Sequence, residues 1–101
     1  MNSLPRGSLL RAQFQALSVI LGREQARDWL RLVNEIVVAL QPPFTDEDQC
    51  AATIAEAKRR FESMLQGKGG FSEFYVHRDN FENQQRENSD LENIKQAILA
   101  A

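Results

Sequence analysis

The sequence predicts an all-α protein, a compact bundle of about four helices with a polar loop before the last one. Three observations carry this expectation. Apolar residues recur at i, i+3, i+4 and i+7 in four separate segments, and no segment alternates at the period of two that a half-buried strand requires. Proline, glycine or a capping residue stands between the segments. Hydrophobic residues make up 43% of the 101-residue chain and charged residues 26%, enough apolar surface for one core in one domain over residues 1–101.

The first helix is expected over Leu9 to Leu21, where Leu10, Phe14, Leu17 and Leu21 share a face with Leu9 and Ile20 beside them. Pro5 and Gly7 punctuate its lead-in, and Gly22 suits the left-handed position after its last turn. The second helix spans Arg23 to Leu40. Ala26, Trp29, Leu30, Val33, Ile36, Val37 and Leu40 form the longest stripe in the chain, and Arg31 and Glu35 make an i, i+4 pair opposite it. Pro42 and Pro43 stop it.

Thr45 reads as the N-cap of the third helix, and Asp46, Glu47 and Asp48 suit the positive end of its dipole. Cys50, Ile54, Ala57, Phe61 and Leu65 form its stripe, Glu56–Arg60 and Lys58–Glu62 are i, i+4 pairs, and Gly67 ends it. Phe71, Phe74 and Tyr75 then read as a short helical turn that packs aromatics into the core, and His77 to Asn88 as a polar loop or frayed helix. Ser89-Asp90-Leu91-Glu92 is an S-x-x-E capping box, so the fourth helix is expected to start there and to bury Leu91, Ile94 and Ile98. The second and third helices carry the longest stripes and are expected to be the central pair, with Trp29 as a core anchor.

Composition excludes several classes of function. A formal charge of −2 removes the main reason to expect non-specific binding to nucleic acid or an anionic membrane. One cysteine, Cys50, forms no intramolecular disulfide, which fits a reducing cytoplasm. One Cys and one His are a poor start for a metal site, and no phosphate loop or dinucleotide fingerprint is present, so no metal or cofactor is expected. No apolar run reaches the roughly 18 residues of a membrane span, and the first ten residues make a poor signal peptide.

Few residues offer catalysis. Cys50 lies on an apolar stripe among acidic neighbours, which suits a buried structural thiol better than a nucleophile. His77, between Val76 and Arg78, has no nucleophile to serve, and Asp79 with Glu82 is a carboxylate pair of a kind common on polar surfaces. Arg23, Arg27 and Arg31 fall on one face of the second helix and would meet nucleic-acid phosphates, although Glu24, Asp28 and Glu35 interleave. The charge is also split along the chain. Residues 1–40 hold five basic and three acidic side chains, and residues 41–101 hold seven and eleven. The acidic, amide-rich stretch from Glu73 to Glu92 is suited to docking a basic protein.

One pattern spans much of the chain: a helical stripe around Trp29 and Leu30, Gly-Gly-Phe-Ser-Glu-Phe-Tyr-Val at 69–76, then asparagines and a terminal Leu-x-x-Ile-x-x-x-Ile. It resembles a family of small helical bacterial proteins that are similar to the immunity proteins of polymorphic secreted toxins. Gly70, Phe71, Glu73 and Phe74 align with that family's Gly-Ser-Phe-Asn-Asp-Leu segment, and Ser72 stands where it has Asn. The resemblance implies a cytoplasmic, non-enzymatic inhibitor that occludes the active site of a cognate toxin with a basic cleft. The contacts expected on this reading are Glu73, Tyr75, His77, Asp79, Glu82 and Glu87, with Tyr75 as anchor. The rival readings are a nucleic-acid-binding regulator using Arg23, Arg27 and Arg31, and a homo-oligomeric adaptor, such as a homodimer, that self-associates through Phe71 to Tyr75.

Overall fold

A computed structural model describes residues 4–66 and 69–101. It contains four α-helices and one turn of 3-10 helix: α1 (Leu4–Arg23), α2 (Arg27–Ala39), α3 (Glu47–Leu65), η1 (Phe71–Glu73) and α4 (Phe81–Ala100). Among the described residues there is no strand, so the chain is the all-α bundle that the apolar periodicity predicts. None of these helices is long and apolar enough to cross a membrane.

The central helix is α1, a correction to the expected pairing of α2 with α3. It packs against α2, α3 and α4, whereas α2 and α3 meet only sparingly. Its length is the reason. Pro5 lies in the first turn, where its missing N–H costs no helical hydrogen bond. Gly7 lies inside the helix and is buried, 3.6 Å from the Cys50 Sγ measured from where its own Cβ would stand. Neither residue marks a boundary. The expected end at Gly22 is also corrected. The helix runs through Gly22 to Arg23, and the left-handed residue is Gln25, at φ 59°. Ala26 N–H donates to the Leu21 carbonyl at 2.9 Å and Gln25 N–H to the Gly22 carbonyl at 3.2 Å, the bond pair of a Schellman motif. That motif takes residues 24–26 out of the second helix, which begins at Arg27 and not at Arg23.

The N-cap of α3 is Asp46, one residue beyond the expected Thr45. Its carboxylate accepts from Gln49 N–H at 2.7 Å, and the Gln49 side chain in turn accepts from Thr45 N–H. The predicted Glu56–Arg60 pair is present at 3.3 Å. Lys58 instead donates to the Ala101 carbonyl, which ties α3 to the end of α4. Gly67, the expected stop of this helix, lies outside the described residues.

The largest departure concerns α4. It starts at Phe81, so the capping box at Ser89 is helix interior and the polar loop shrinks to a connector over residues 74–80. Asn80 is the N-cap and accepts from Asn83 N–H at 3.0 Å. The amides that lower helix propensity in isolation are used in tertiary contacts. Asn88, half-buried, accepts from Val76 N–H at 2.8 Å through Oδ1 and donates to the Val76 carbonyl at 2.8 Å through Nδ2, as a neighbouring strand would. One turn earlier the Gln84 side chain accepts from Arg78 N–H at 2.9 Å. Two amides at i and i+4 thus face the connector and satisfy its backbone.

Most of the stripes read from the sequence are buried, with Leu10, Phe14, Leu17, Val33, Ile36, Cys50, Ile54, Phe61, Leu91 and Ile98 all inside, whereas Leu65 and Ile94 are only half-buried and Met64 and Lys95 are buried beside them. Phe71 is the aromatic hub. It stacks on Phe74 at 5.3 Å and meets Trp29 and Phe61 edge-on at 5.4 and 6.2 Å. Trp29, expected as a core anchor, is only half-buried and packs against the edge of the core. Lys95, on the apolar face of α4, is buried with its ammonium 5.1 Å from the centre of the Phe71 ring. Burial lowers its pKa, and the charge of Glu92 partly opposes that shift.

Candidate binding face on the connector and the start of α4

Exposure alternates along the connector, so successive side chains at 75, 76 and 77 point to opposite sides. Val76 turns inward and is fully buried, while Tyr75 and His77 point out. Their rings meet edge-on with centroids 5.2 Å apart, and the Tyr75 hydroxyl accepts from the Gln84 side chain at 3.1 Å. Tyr75 is 48% exposed. Asp79 and Glu82 are exposed beside it in sequence, at the end of the connector and in the first turn of α4. Between them stands Phe81, 71% exposed and the most exposed large apolar side chain described. Sequence reasoning missed Phe81. Its signal was a lone aromatic in a polar stretch that lies off the apolar stripe of Leu91, Ile94 and Ile98.

The face is held from behind by charge. The Arg78 guanidinium donates to both oxygens of Glu24, at 2.9 and 2.5 Å, and its Nε lies 2.6 Å from Glu87. Arg23 approaches Glu24 at 3.3 Å and Glu87 at 3.7 Å. Two cations and two anions make a neutral quartet that fastens the end of α1 to the connector and to the second turn of α4. The bidentate hydrogen bonds from Arg78 hold the Glu24 carboxyl below its ordinary pKa against the opposing effect of burial, and the same bonds raise the pKa of Arg78. Arg78 also donates to the His77 carbonyl at 2.8 Å, which fixes the backbone beneath the exposed imidazole.

Of the six residues expected to contact a partner, Tyr75, His77, Asp79 and Glu82 lie exposed on this short stretch. Glu73 is exposed on η1, where its carboxylate accepts from Gly69 N–H at 2.6 Å. Glu87 is half-buried and bound into the quartet, so its charge is largely spent inside the molecule. The arginine stripe is corrected. Arg23 belongs to α1 and joins the quartet, which leaves Arg27 and Arg31 exposed on α2. Phe71 is fully buried and Phe74 half-buried, so within Phe71 to Tyr75 only Tyr75 presents an exposed ring.

The thiol of Cys50 is buried in the core, and burial first and Glu47 second push its pKa up, which disfavours the nucleophilic thiolate. Among the described residues no group of three His, Cys, Asp or Glu side chains is placed to hold a metal ion. Compared with known proteins, the chain matches no family model, no curated protein and no solved structure.

Proposed function

We propose that this chain is a binding protein that captures a basic protein partner through Tyr75, His77, Asp79, Phe81 and Glu82, in the manner of an immunity protein covering the active-site cleft of a toxin. The observation that carries the reading is the pairing of exposure with rigidity. Two exposed aromatic rings and an imidazole stand on a backbone pinned by Asn88, Gln84 and Arg78. Aromatic anchors held in place before binding lose little entropy on association, and aromatic residues dominate interface hot spots. Asp79 and Glu82 give the rim the sign that complements a cleft built for phosphates. A standard footprint of about 800 Å² per partner is roughly an eighth of the 6513 Å² surface.

The test is co-expression with the product of the adjacent open reading frame, followed by binding kinetics on the purified complex. Tyr75→Ala and Phe81→Ala are each expected to weaken binding by about tenfold or more, mainly through faster dissociation. Asp79→Lys with Glu82→Lys is expected to slow association, most strongly at low salt. A complex whose rates ignore all four substitutions would overturn the proposal, as would the failure of the two proteins to associate.

A further inference from the structure

Because α2 and α3 barely touch, a cleft lies open between them. Its larger lobe, about 490 Å³, is floored by Trp29, Leu32, Ile36 and Met64 and bounded by Glu35 on the α2 side and Arg60 on the α3 side. A smaller lobe of about 290 Å³ continues past Ile36 and Arg60 toward Ala39 and Ala52. Small-molecule sites fall in this size range and have this make-up, an apolar floor with a few polar groups. Arg60 borders both lobes and so stands at the waist of the cleft.

The state of Arg60 indicates what the cleft would take. Its Nε donates to Glu56 at 3.3 Å, and Glu56 is also paired with Arg59. Among the described residues, the two terminal nitrogens of Arg60 make no hydrogen bond or ion pair, and none joins Arg60 to Glu35 across the cleft. A guanidinium with two terminal nitrogens to spare matches a carboxylate in bidentate geometry. Glu35 on the facing wall and Glu56 beside the smaller lobe repel further negative charge, which limits the ligand to one anionic group.

We infer that the α2–α3 cleft is a binding site for small monocarboxylates with a flat or branched apolar body, the carboxylate on Arg60 and the body on Trp29, Ile36 and Met64. The site is built from different elements than the Tyr75–Phe81 face and stands independently of the proposed function.

Trp29, the single tryptophan of the chain, reports on the site directly. The experiment titrates phenylbutyrate, and its uncharged counterpart phenylbutyramide, against the intact protein and follows Trp29 fluorescence. The carboxylate is expected to give a saturable change and to bind several-fold more tightly than the amide. Arg60→Gln is expected to weaken the carboxylate by about tenfold and leave the amide unchanged, because one charge-assisted bidentate contact is lost. Glu35→Gln removes the repulsion and is expected to tighten the carboxylate by a factor of about two or more. Both side chains are exposed, so the variants keep the fold. No saturable change with phenylbutyrate overturns the inference, and so does equal binding of carboxylate and amide or an Arg60→Gln variant that binds both as the wild type does.

Discussion

Replacing Asn88 with alanine should destabilise the protein by about 2 kcal/mol. The side chain makes three hydrogen bonds of 2.8 Å, accepting from Val76 N–H and donating to the Val76 and Gln84 carbonyls. Gln84 is inside α4, so its carbonyl keeps its helical partner. Val76 is different. It is fully buried on a connector with no neighbouring strand, and losing Asn88 strands both of its backbone polar groups. An unsatisfied buried group costs about 1–3 kcal/mol, and two such groups set a gross penalty of roughly 2–6. Alanine returns about 0.6 kcal/mol in helix propensity, and Asn88 is only half-buried, so water can reach part of the gap. That places the net loss near the lower end.

At about 4–8 °C per kcal/mol for a domain of this size, the melting temperature should fall by roughly 8–16 °C. Thermal and urea unfolding followed by circular dichroism measure it, with an unchanged urea slope showing that only stability moved. Asn88→Asp is a sharper probe. It keeps an acceptor for Val76 N–H but points a carboxylate at two carbonyl oxygens, so at neutral pH it should be at least as damaging as alanine. Gln85→Ala, exposed on the same helix, should stay within about 0.5 kcal/mol of the wild type. If Asn88→Ala behaves like Gln85→Ala, the connector is not held by the amide clip and the rigidity argued for the candidate face fails with it.

Other outcomes follow from the same geometry. Gln25→Gly should raise stability by about 0.5–1 kcal/mol, because Gln25 occupies the left-handed position of a Schellman motif that glycine adopts without steric cost; a loss of stability in chemical denaturation would contradict this. Glu24→Gln should cost about 1 kcal/mol at neutral pH. Since the folded pKa of Glu24 lies below the ordinary 4.5, its contribution is present above that value and is lost as the pH falls through the folded pKa. Stability curves of the variant and the wild type should therefore converge under acid, and a constant gap would refute the assignment. Lys95→Met should stabilise the protein by about 0.5 kcal/mol or more at neutral pH, where the charged amine is held in a buried site with no carboxylate bound to it among the described residues. Its folded pKa lies below 10.5, so the penalty is full below the folded pKa and fades as the pH rises toward 10.5. The gain from methionine should shrink over that range, and a gain that grows would sink the argument.

Much of the bundle was legible in the sequence because helical burial is a local, periodic property. Phe14 and Leu17, Val33 and Ile36, Ile54 and Phe61 lie inside because spacing alone puts them on one face of their own helix. Boundaries were less legible where a signal had two uses. Gly22 and Gln25 compete for the end of α1, and the bonds from Gln25 and Ala26 decide for the bulkier residue. Ser89-x-x-Glu92 has the pattern of a helix start, yet Asn80 caps the helix nine residues earlier, and the amides between carry contacts that no propensity records. The candidate face was legible in part. His77, Asp79 and Glu82 are exposed, and Tyr75 is exposed as a partner contact requires but not as a ring packed into the core, while the position of Glu87 depended on Arg78 and Arg23 arriving from elsewhere.

By itself the sequence determined that this chain is helical and which side of each helix is apolar, since both follow from residue type and spacing within a turn or two. Tertiary structure alone decided that α1 is central, that the amides of α4 would clip Val76, and that a cleft would open between α2 and α3. It also decided which charges are free to act. Glu87 and Arg23 are neutralised within the quartet, while among the described residues Asp79, Glu82 and the terminal nitrogens of Arg60 have no ion-pair partner. The physical reason is reach. Periodicity is set by neighbours three or four residues away, whereas Arg78 meets Glu24 across 54 residues of chain, and only the packed helices bring the two together.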